Sequence, residues 1–147
     1  MVELRVTISD PKTGKSYNKV MTDNIFLNRK LGESVNGNLI GLDGYEFKIT
    51  GGSDSAGFPM RKEIQGFGRK KPLLSDSTGF NAKKKRTKHK AQHHYYLAKR
   101  KTVRGNTVSD ATAQVNLSVV KHGGQALDAI FPKKEEKPAE AKAEVAS

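Results

Sequence analysis

The 147-residue sequence contains no cysteine and no tryptophan. The absence of cysteine excludes disulfide bonds and thiolate metal sites, and it fits a reducing compartment such as the cytoplasm. No stretch approaches the roughly 18 apolar residues that a membrane-spanning helix needs, and the amino terminus lacks the pattern of a secretory signal. Hydrophobic residues make up 35% of the chain. Because this is below the usual 45–50% or so, we expect one folded domain with some sequence outside its core.

Positive charge is abundant, and it is concentrated in one segment. The chain has 27 Lys and Arg against 15 Asp and Glu, a net charge of +12. Residues 69–104 hold 13 basic residues and one acidic residue, which accounts for the whole excess. The sequence therefore predicts a neutral body with one basic arm, 69–104. We expect this arm to be extended or mobile until an outside polyanion supplies counter-charge, since its cations repel one another and resist desolvation.

Apolar and polar residues alternate in several short segments, as they do in half-buried strands. The pattern predicts strands at 3–9, 17–21, 45–50 and within 107–121, a hairpin turn between the first two, and a short turn or one-turn helix at 23–31. Four glycines exclude a long helix over 32–44, and the glycines at 51, 52 and 57 predict a loop that allows positive φ or close backbone approach. Residues 133–147 hold one β-branched residue and no aromatic, which is typical of a disordered tail.

A short internal repeat shapes the predicted fold. V-x-G-N occurs at 35–38 and at 103–106, each time followed by a predicted strand and a glycine pair. A match this short also arises by chance, but a true repeat would let two β units close against each other. We therefore predict a mostly β fold, a small closed or half-open barrel of about six strands. The predicted single domain is 1–132, including the arm, followed by the tail at 133–147.

Residues 9–16 (SDPKTGKS) resemble a phosphate-binding loop, with serine at the place of its first glycine. Such a loop must open a helix, whereas the residues after Ser16 read as a strand. The sequence favours a hairpin turn, and a nucleotide hydrolase built on Gly14, Lys15 and Ser16 is the competing hypothesis.

The arm also contains a cluster of histidines and tyrosines. His89 and His93 have the spacing of metal ligands on a helix, but the surrounding cations and the lack of a nearby carboxylate disfavour a metal. Tyr95 and Tyr96 have two open interpretations: they stack on unpaired bases, or they anchor the arm to the body. The Lys83–Lys90 cluster is also similar to a nuclear-localisation patch.

Catalysis has little support in the sequence. Asp43, Glu46, Asp54 and Glu63 could converge in a fold, but no set of side chains has diagnostic catalytic spacing. We therefore predict no enzyme activity, no catalytic or metal-binding residues, no cofactor and no small-molecule substrate.

The density of cations in the arm predicts binding to nucleic acid through phosphate contacts. A membrane is disfavoured because no Phe or Trp lies between Lys83 and Arg104 to insert into lipid. The predicted RNA-binding residues are Arg69, Lys70, Lys71, Lys83, Lys84, Lys85, Arg86, Lys88, Lys90, His93, His94, Tyr95, Tyr96, Lys99, Arg100, Lys101 and Arg104.

Three motifs, in this order, closely resemble the small-subunit ribosomal protein family numbered six in the eukaryotic and archaeal series. They are GGSDSAGFPMR at 51–61, RKTVRGNTVS at 100–109 and LSVVK at 117–121, preceded by GYEFKITGG at 44–52. The resemblance implies a β-barrel body seated on small-subunit ribosomal RNA, with a structural and assembly role in translation. It also implies neighbouring ribosomal proteins as partners and a location on cytoplasmic ribosomes. The short tail with a single terminal serine, Ser147, is similar to the archaeal form of the family.

The resemblance further places two groups of residues in the RNA-associated portion of the family: Gly51, Gly52, Gly57 and Pro59, and Arg100, Lys101, Val103, Arg104 and Gly105. An alternative function is that of a free-standing architectural protein, which would compact nucleic acid with the same basic arm.

Overall fold

The computed structural model of the protein describes residues 3–81 and 98–131. The middle of the predicted arm, 82–97, and the predicted tail, 133–147, lie outside the described residues. Among the described residues, strands account for nearly all the regular secondary structure, which confirms the prediction of a mostly β protein. No helix among them is long and apolar enough to cross a membrane.

The chain begins with the predicted hairpin. β1 (Leu4–Asp10) and β2 (Lys15–Met21) pair antiparallel, with Asp10 opposite Lys15. Alternation turns Leu4 and its apolar neighbours in β1 toward the core. The turn is closed by a 2.9 Å bond from the Gly14 amide to the Asp10 carbonyl, and Gly14 has the positive φ of 69° that favours glycine.

The structure of this hairpin contradicts the hypothesis of a phosphate-binding loop at 9–16. Ser16 lies inside β2 instead of at the start of a helix. The Lys15 ammonium lies 2.8 Å from the Asp128 carboxylate, so it is already paired. Without the amide groups of a helix start, this turn cannot hold phosphate in the way that such loops do, and the nucleotide-hydrolase hypothesis is wrong.

Five strands form the main sheet. It contains β1, β2, β3 (Ser34–Asn36), β4 (Glu46–Asp54) and β9 (Thr112–Lys121), in the order β2-β1-β9-β4-β3. β9 lies in the centre, parallel to β1 and antiparallel to β4. The sheet thus places the first strand beside the last one in the described chain, and its inner face forms the core around Val6, Phe47 and Leu117.

The prediction was a closed or half-open barrel, and its closed form is wrong for the described residues. The end strands β2 and β3 do not pair with each other, so the sheet is open. β3 has only three residues because the chain turns at Gly37 into a 3-10 turn, Gly37–Ile40. The repeat units also differ: β3 pairs with β4, whereas the second copy of V-x-G-N lies in a separate two-stranded pair.

Two short strand pairs hold the ends of the arm. β5 (Arg69–Lys70) pairs with β8 (Val103–Arg104), and β6 (Leu73–Leu74) pairs with β7 (Lys99–Arg100), both antiparallel. We call these four strands the basic ribbon. We expected the arm to become ordered only when an outside polyanion binds, and this is wrong at its two ends, because their backbones satisfy each other's hydrogen bonds.

The last described segment folds back over the hairpin. Helix α1 (Leu127–Ile130) buries Leu127 in the core, and the Phe131 ring stacks on Tyr17 with 5.5 Å between centroids. Asp128 accepts hydrogen bonds from Lys15 at 2.8 Å and from Tyr17 at 2.9 Å. These contacts tie the carboxyl-terminal part of the described chain to its beginning.

Candidate nucleic-acid interface

A buried aspartate joins the basic ribbon to the sheet. Asp54 is the last residue of β4, and its side chain is fully buried. Its Oδ2 accepts hydrogen bonds from Arg69 Nε at 2.7 Å and Arg104 Nη1 at 3.1 Å. Its Oδ1 accepts the backbone amides of Ala56 at 3.1 Å and Phe58 at 2.8 Å. One carboxylate therefore orders the glycine-rich loop and fixes an arginine on each side of the arm.

The charge of Asp54 is stabilised by these partners. Burial alone raises the pKa of a carboxylic acid, because it penalises the ionised form. The Phe58 amide and the guanidinium groups of Arg69 and Arg104 outweigh burial, so the pKa of Asp54 lies below its ordinary value. Asp54 is therefore ionised at neutral pH and supplies a counter-charge to the two arginines.

Arg104 is an internal residue. Only 10% of its side chain is exposed, and besides Asp54 it donates from Nη2 to Ser109 Oγ at 2.9 Å. Its backbone accepts from the Arg61 amide at 3.0 Å and donates to the Pro59 carbonyl at 2.9 Å. The structure therefore places Arg104 inside the fold, and its predicted role as an RNA-binding residue stays a prediction. Through these bonds Arg104 connects the motif at 51–61 with the motif at 100–109, which are distant in sequence.

Arg69 is held by the same carboxylate but remains accessible. Its side chain is 44% exposed, and its guanidinium carbon lies 4.8 Å from the centre of the Phe58 ring. The aromatic face and Asp54 together restrict the orientation of the guanidinium. Arg69 is therefore an exposed cation whose guanidinium is held in a restricted orientation.

The structure brings five further predicted cations onto the basic ribbon and its connections. Lys70, Lys71, Lys99 and Arg100 are exposed, and Lys101 is half-buried with its ammonium 6.0 Å from the Phe80 ring centre. Arg100 Nη1 donates to the Lys71 carbonyl at 3.2 Å, which joins the two sides of the ribbon. In the described part of the chain, no ion pair engages any of these five cations.

The remaining predicted site residues fall between the two described ranges, so their roles stay predictions. They are Lys83, Lys84, Lys85, Arg86, Lys88, Lys90, His93, His94, Tyr95 and Tyr96. The metal interpretation of His89 and His93 lies in the same segment.

Three of the four acids considered for catalysis are engaged in separate ion pairs. Asp54 holds the arginines, Glu46 pairs with Lys121 at 2.7 Å, and Glu63 pairs with Arg61 at 3.0 Å. Sequence reasoning missed the anchoring role of Asp54. The signal was present, since Asp54 is the one acid in the glycine-rich motif 51–61.

Gly105, directly after β8, packs closely against the backbone of the loop at Gly66. A Cβ atom at this position would lie 1.8 Å from the Gly66 carbonyl oxygen, which is backbone and cannot rotate away. We expect Gly105→Ala to lower the free energy of unfolding by about 2–3 kcal/mol, measured by urea denaturation.

Gly124→Ala is the matched control, because a Cβ there meets nothing within 4 Å and its φ lies outside the left-handed region. This variant should change the free energy of unfolding by less than about 1 kcal/mol. Equal stability of the two variants would contradict the close contact at Gly105.

Known proteins resemble this chain over most of its length. The family model for ribosomal protein S6e matches residues 4–132. Small ribosomal subunit protein eS6 of Archaeoglobus fulgidus is 43% identical over 139 residues, covering 92% of this chain and 100% of that protein. The proteins of the same name from Nanoarchaeum equitans and Methanococcus maripaludis are 42% and 39% identical, covering 87% and 84% of this chain and 89% and 91% of their own lengths. With the predicted motifs 51–61 and 100–109 inside the matched region, the chain belongs to the ribosomal protein S6e family.

Proposed function

We propose that this protein is a structural, non-enzymatic constituent of the small ribosomal subunit, which binds ribosomal RNA through its basic arm and supports subunit assembly. The family supports the ribosomal role, and its archaeal relatives carry the name of small-subunit proteins. The observation that carries RNA binding is the placement of charge: the arm holds the entire net charge of +12. The proposal includes a location on cytoplasmic ribosomes and contacts with neighbouring ribosomal proteins.

The unpaired cations of the basic ribbon support this proposal. Asp54 carries one negative charge and faces two arginines, so it leaves one positive charge uncompensated. Lys70, Lys99 and Arg100 have no carboxylate partner among the described residues and are exposed to solvent. Phosphate groups supply the missing counter-charge and release condensed counterions when they bind.

The attachment of the arm to the sheet sets how the arm is oriented relative to the body. The strand pairs β5–β8 and β6–β7 hold residues on both sides of 75–98 next to each other, and Asp54 ties the first pair to the sheet. The neutral body thus sets the orientation by shape, while the arm neutralises phosphates. In this proposal residues 1–132 act as one domain.

Sedimentation of cell extracts tests the ribosomal role. We expect the protein to migrate with small subunits and to stay with them through moderate salt, because many phosphate contacts and a fitted surface act together. Migration with bulk DNA or RNA, away from small subunits, would contradict the proposal and favour the nucleic-acid-compacting alternative.

A further inference from the structure

Phe67 is an aromatic residue that the fold leaves at the surface. It is 49% exposed, and it lies in the sequence Gly66-Phe67-Gly68 directly before the basic ribbon. No other ring among the described residues stacks on it. An isolated exposed apolar side chain is common in proteins, so exposure alone does not indicate a role.

The backbone on both sides of Phe67 is fixed to the chain opposite. The Gly68 carbonyl accepts the Gly105 amide at 3.0 Å, and the Gly66 carbonyl accepts the Thr107 amide at 3.3 Å. The Asn106 side chain accepts the Gly66 amide at 3.4 Å, so the loop is held on both sides of the ring. Phe67 is therefore presented at the surface by an ordered backbone, which lowers the entropic cost of a contact.

The neighbouring glycines leave space beside the ring. A Cβ atom at Gly66 or at Gly68 would meet nothing within 4 Å. Gly66 needs its positive φ of 100°, but Gly68 is not in the left-handed region. Neither backbone conformation nor packing inside the described chain requires glycine at 68, and the open space lets a flat group approach the loop.

The charges around Phe67 favour RNA over a protein partner. Lys62, Arg69 and Lys70 lie close in sequence, and Lys70 Nζ reaches back to within 3.3 Å of the Gln65 carbonyl. The nearby acid, Glu63, is paired with Arg61 at 3.0 Å. A protein surface that covered Phe67 would have to neutralise or desolvate this cationic border, whereas a nucleotide brings a phosphate together with its base.

We propose that Phe67 is a stacking platform for an unpaired base of the bound RNA, with Arg69 and Lys70 taking the adjoining phosphates. The inference rests on the proposed RNA-binding function and adds to it a class of ligand. That ligand is an unpaired nucleotide and not a base-paired RNA helix. Base stacking on an aromatic ring is tolerant of sequence, because every base presents a π face.

The test compares two RNA probes with the full-length protein. Phe67→Ala should weaken binding to single-stranded oligouridylate by about five- to a hundredfold. It should leave the affinity for a blunt RNA duplex within about twofold, since phosphate contacts are intact. Phe67→Trp should restore oligouridylate binding. The matched control is Leu73→Ala, which removes a 63% exposed apolar side chain from the same ribbon and should change neither affinity.

The outcomes separate this inference from the function on which it rests. If the wild-type protein binds neither probe, the RNA-binding proposal fails. If the wild type binds both and Phe67→Ala binds oligouridylate as the wild type does, RNA binding stands and the stacking platform is overturned. Equal weakening on both probes, with the Trp variant failing to restore binding, would likewise overturn it.

Discussion

Replacing Asp54 with alanine should lower the free energy of unfolding by about 3–5 kcal/mol, as expected when one partner of a buried ion pair is removed. The variant leaves the guanidinium of Arg104, whose side chain is 10% exposed, without its counter-charge. It also frees the Ala56 and Phe58 amides, which Asp54 Oδ1 accepts at 3.1 and 2.8 Å. Urea denaturation of the full-length protein measures the loss.

Two further variants identify the cause of that loss. Asp54→Asn keeps the volume of the side chain but removes its charge, so it should show most of the destabilisation. Asp43→Ala removes an exposed carboxylate and should stay within about 0.5 kcal/mol of the wild type. If Asp54→Asn were as stable as the wild type, the ion pairs with Arg69 and Arg104 would not be what holds the ribbon.

The same ion pairs set a pH dependence. The pKa of Asp54 is lowered in the folded protein, so its ionised form favours folding above the unfolded-state pKa of about 3.9. The stability difference between the wild type and Asp54→Asn should therefore be full near neutral pH and should shrink as the pH falls through the folded pKa. We compare the stabilities of the two proteins because the pKa of Asp10 is lowered as well. Its contribution to the pH dependence is the same in both proteins and cancels in the comparison.

The sequence predicts the long strands well, because each carries its own alternation. Leu4, Val6 and Ile8 in β1 and Val115, Leu117 and Val119 in β9 are all buried as the period of two requires. The open sheet could not be predicted in this way. Whether β2 meets β3 depends on contacts between distant residues, and β3 is cut short by the turn at Gly37.

The sequence predicts where the positive charge lies along the chain, but it does not predict how the charged side chains are arranged in space. Counting cations located the arm, and the exposed Lys70 and Arg100 agree with a surface role. Burial of Arg104 could not be read from its position in a run of basic residues, because it depends on Asp54, 50 positions away in sequence. Phe67 was missed for a similar reason, since an isolated phenylalanine in a sequence is most simply assigned to a core.

Reversing charge in the middle of the arm should have the largest effect on RNA binding. Changing Lys83, Lys84, Lys85 and Arg86 to Glu should weaken binding to small-subunit ribosomal RNA by about a hundredfold or more at physiological salt. The sheet and the basic ribbon are formed by other residues, so the free energy of unfolding should stay within about 1 kcal/mol of the wild type. Urea denaturation checks that the body still folds.

A second quadruple variant provides the matched control for net charge. Arg5, Lys12, Lys30 and Lys48 are exposed, lie outside the arm and have no ion-pair partner among the described residues. Changing these four to Glu removes the same total charge from the body. If charge at any position served equally, both variants would lose affinity alike, and the arm would have no special role.

Salt dependence shows whether the arm makes the phosphate contacts, and the quantity to measure is the slope of log affinity against log salt concentration for small-subunit ribosomal RNA. Each lost phosphate contact lowers this slope by about 0.7–0.9, so reversing the four arm residues should lower it by about 3. The control variant, in which Arg5, Lys12, Lys30 and Lys48 are changed to Glu, should change the slope by less than about 1. An unchanged slope and affinity in the arm variant would contradict the account, because the phosphate contacts would then lie elsewhere on the protein.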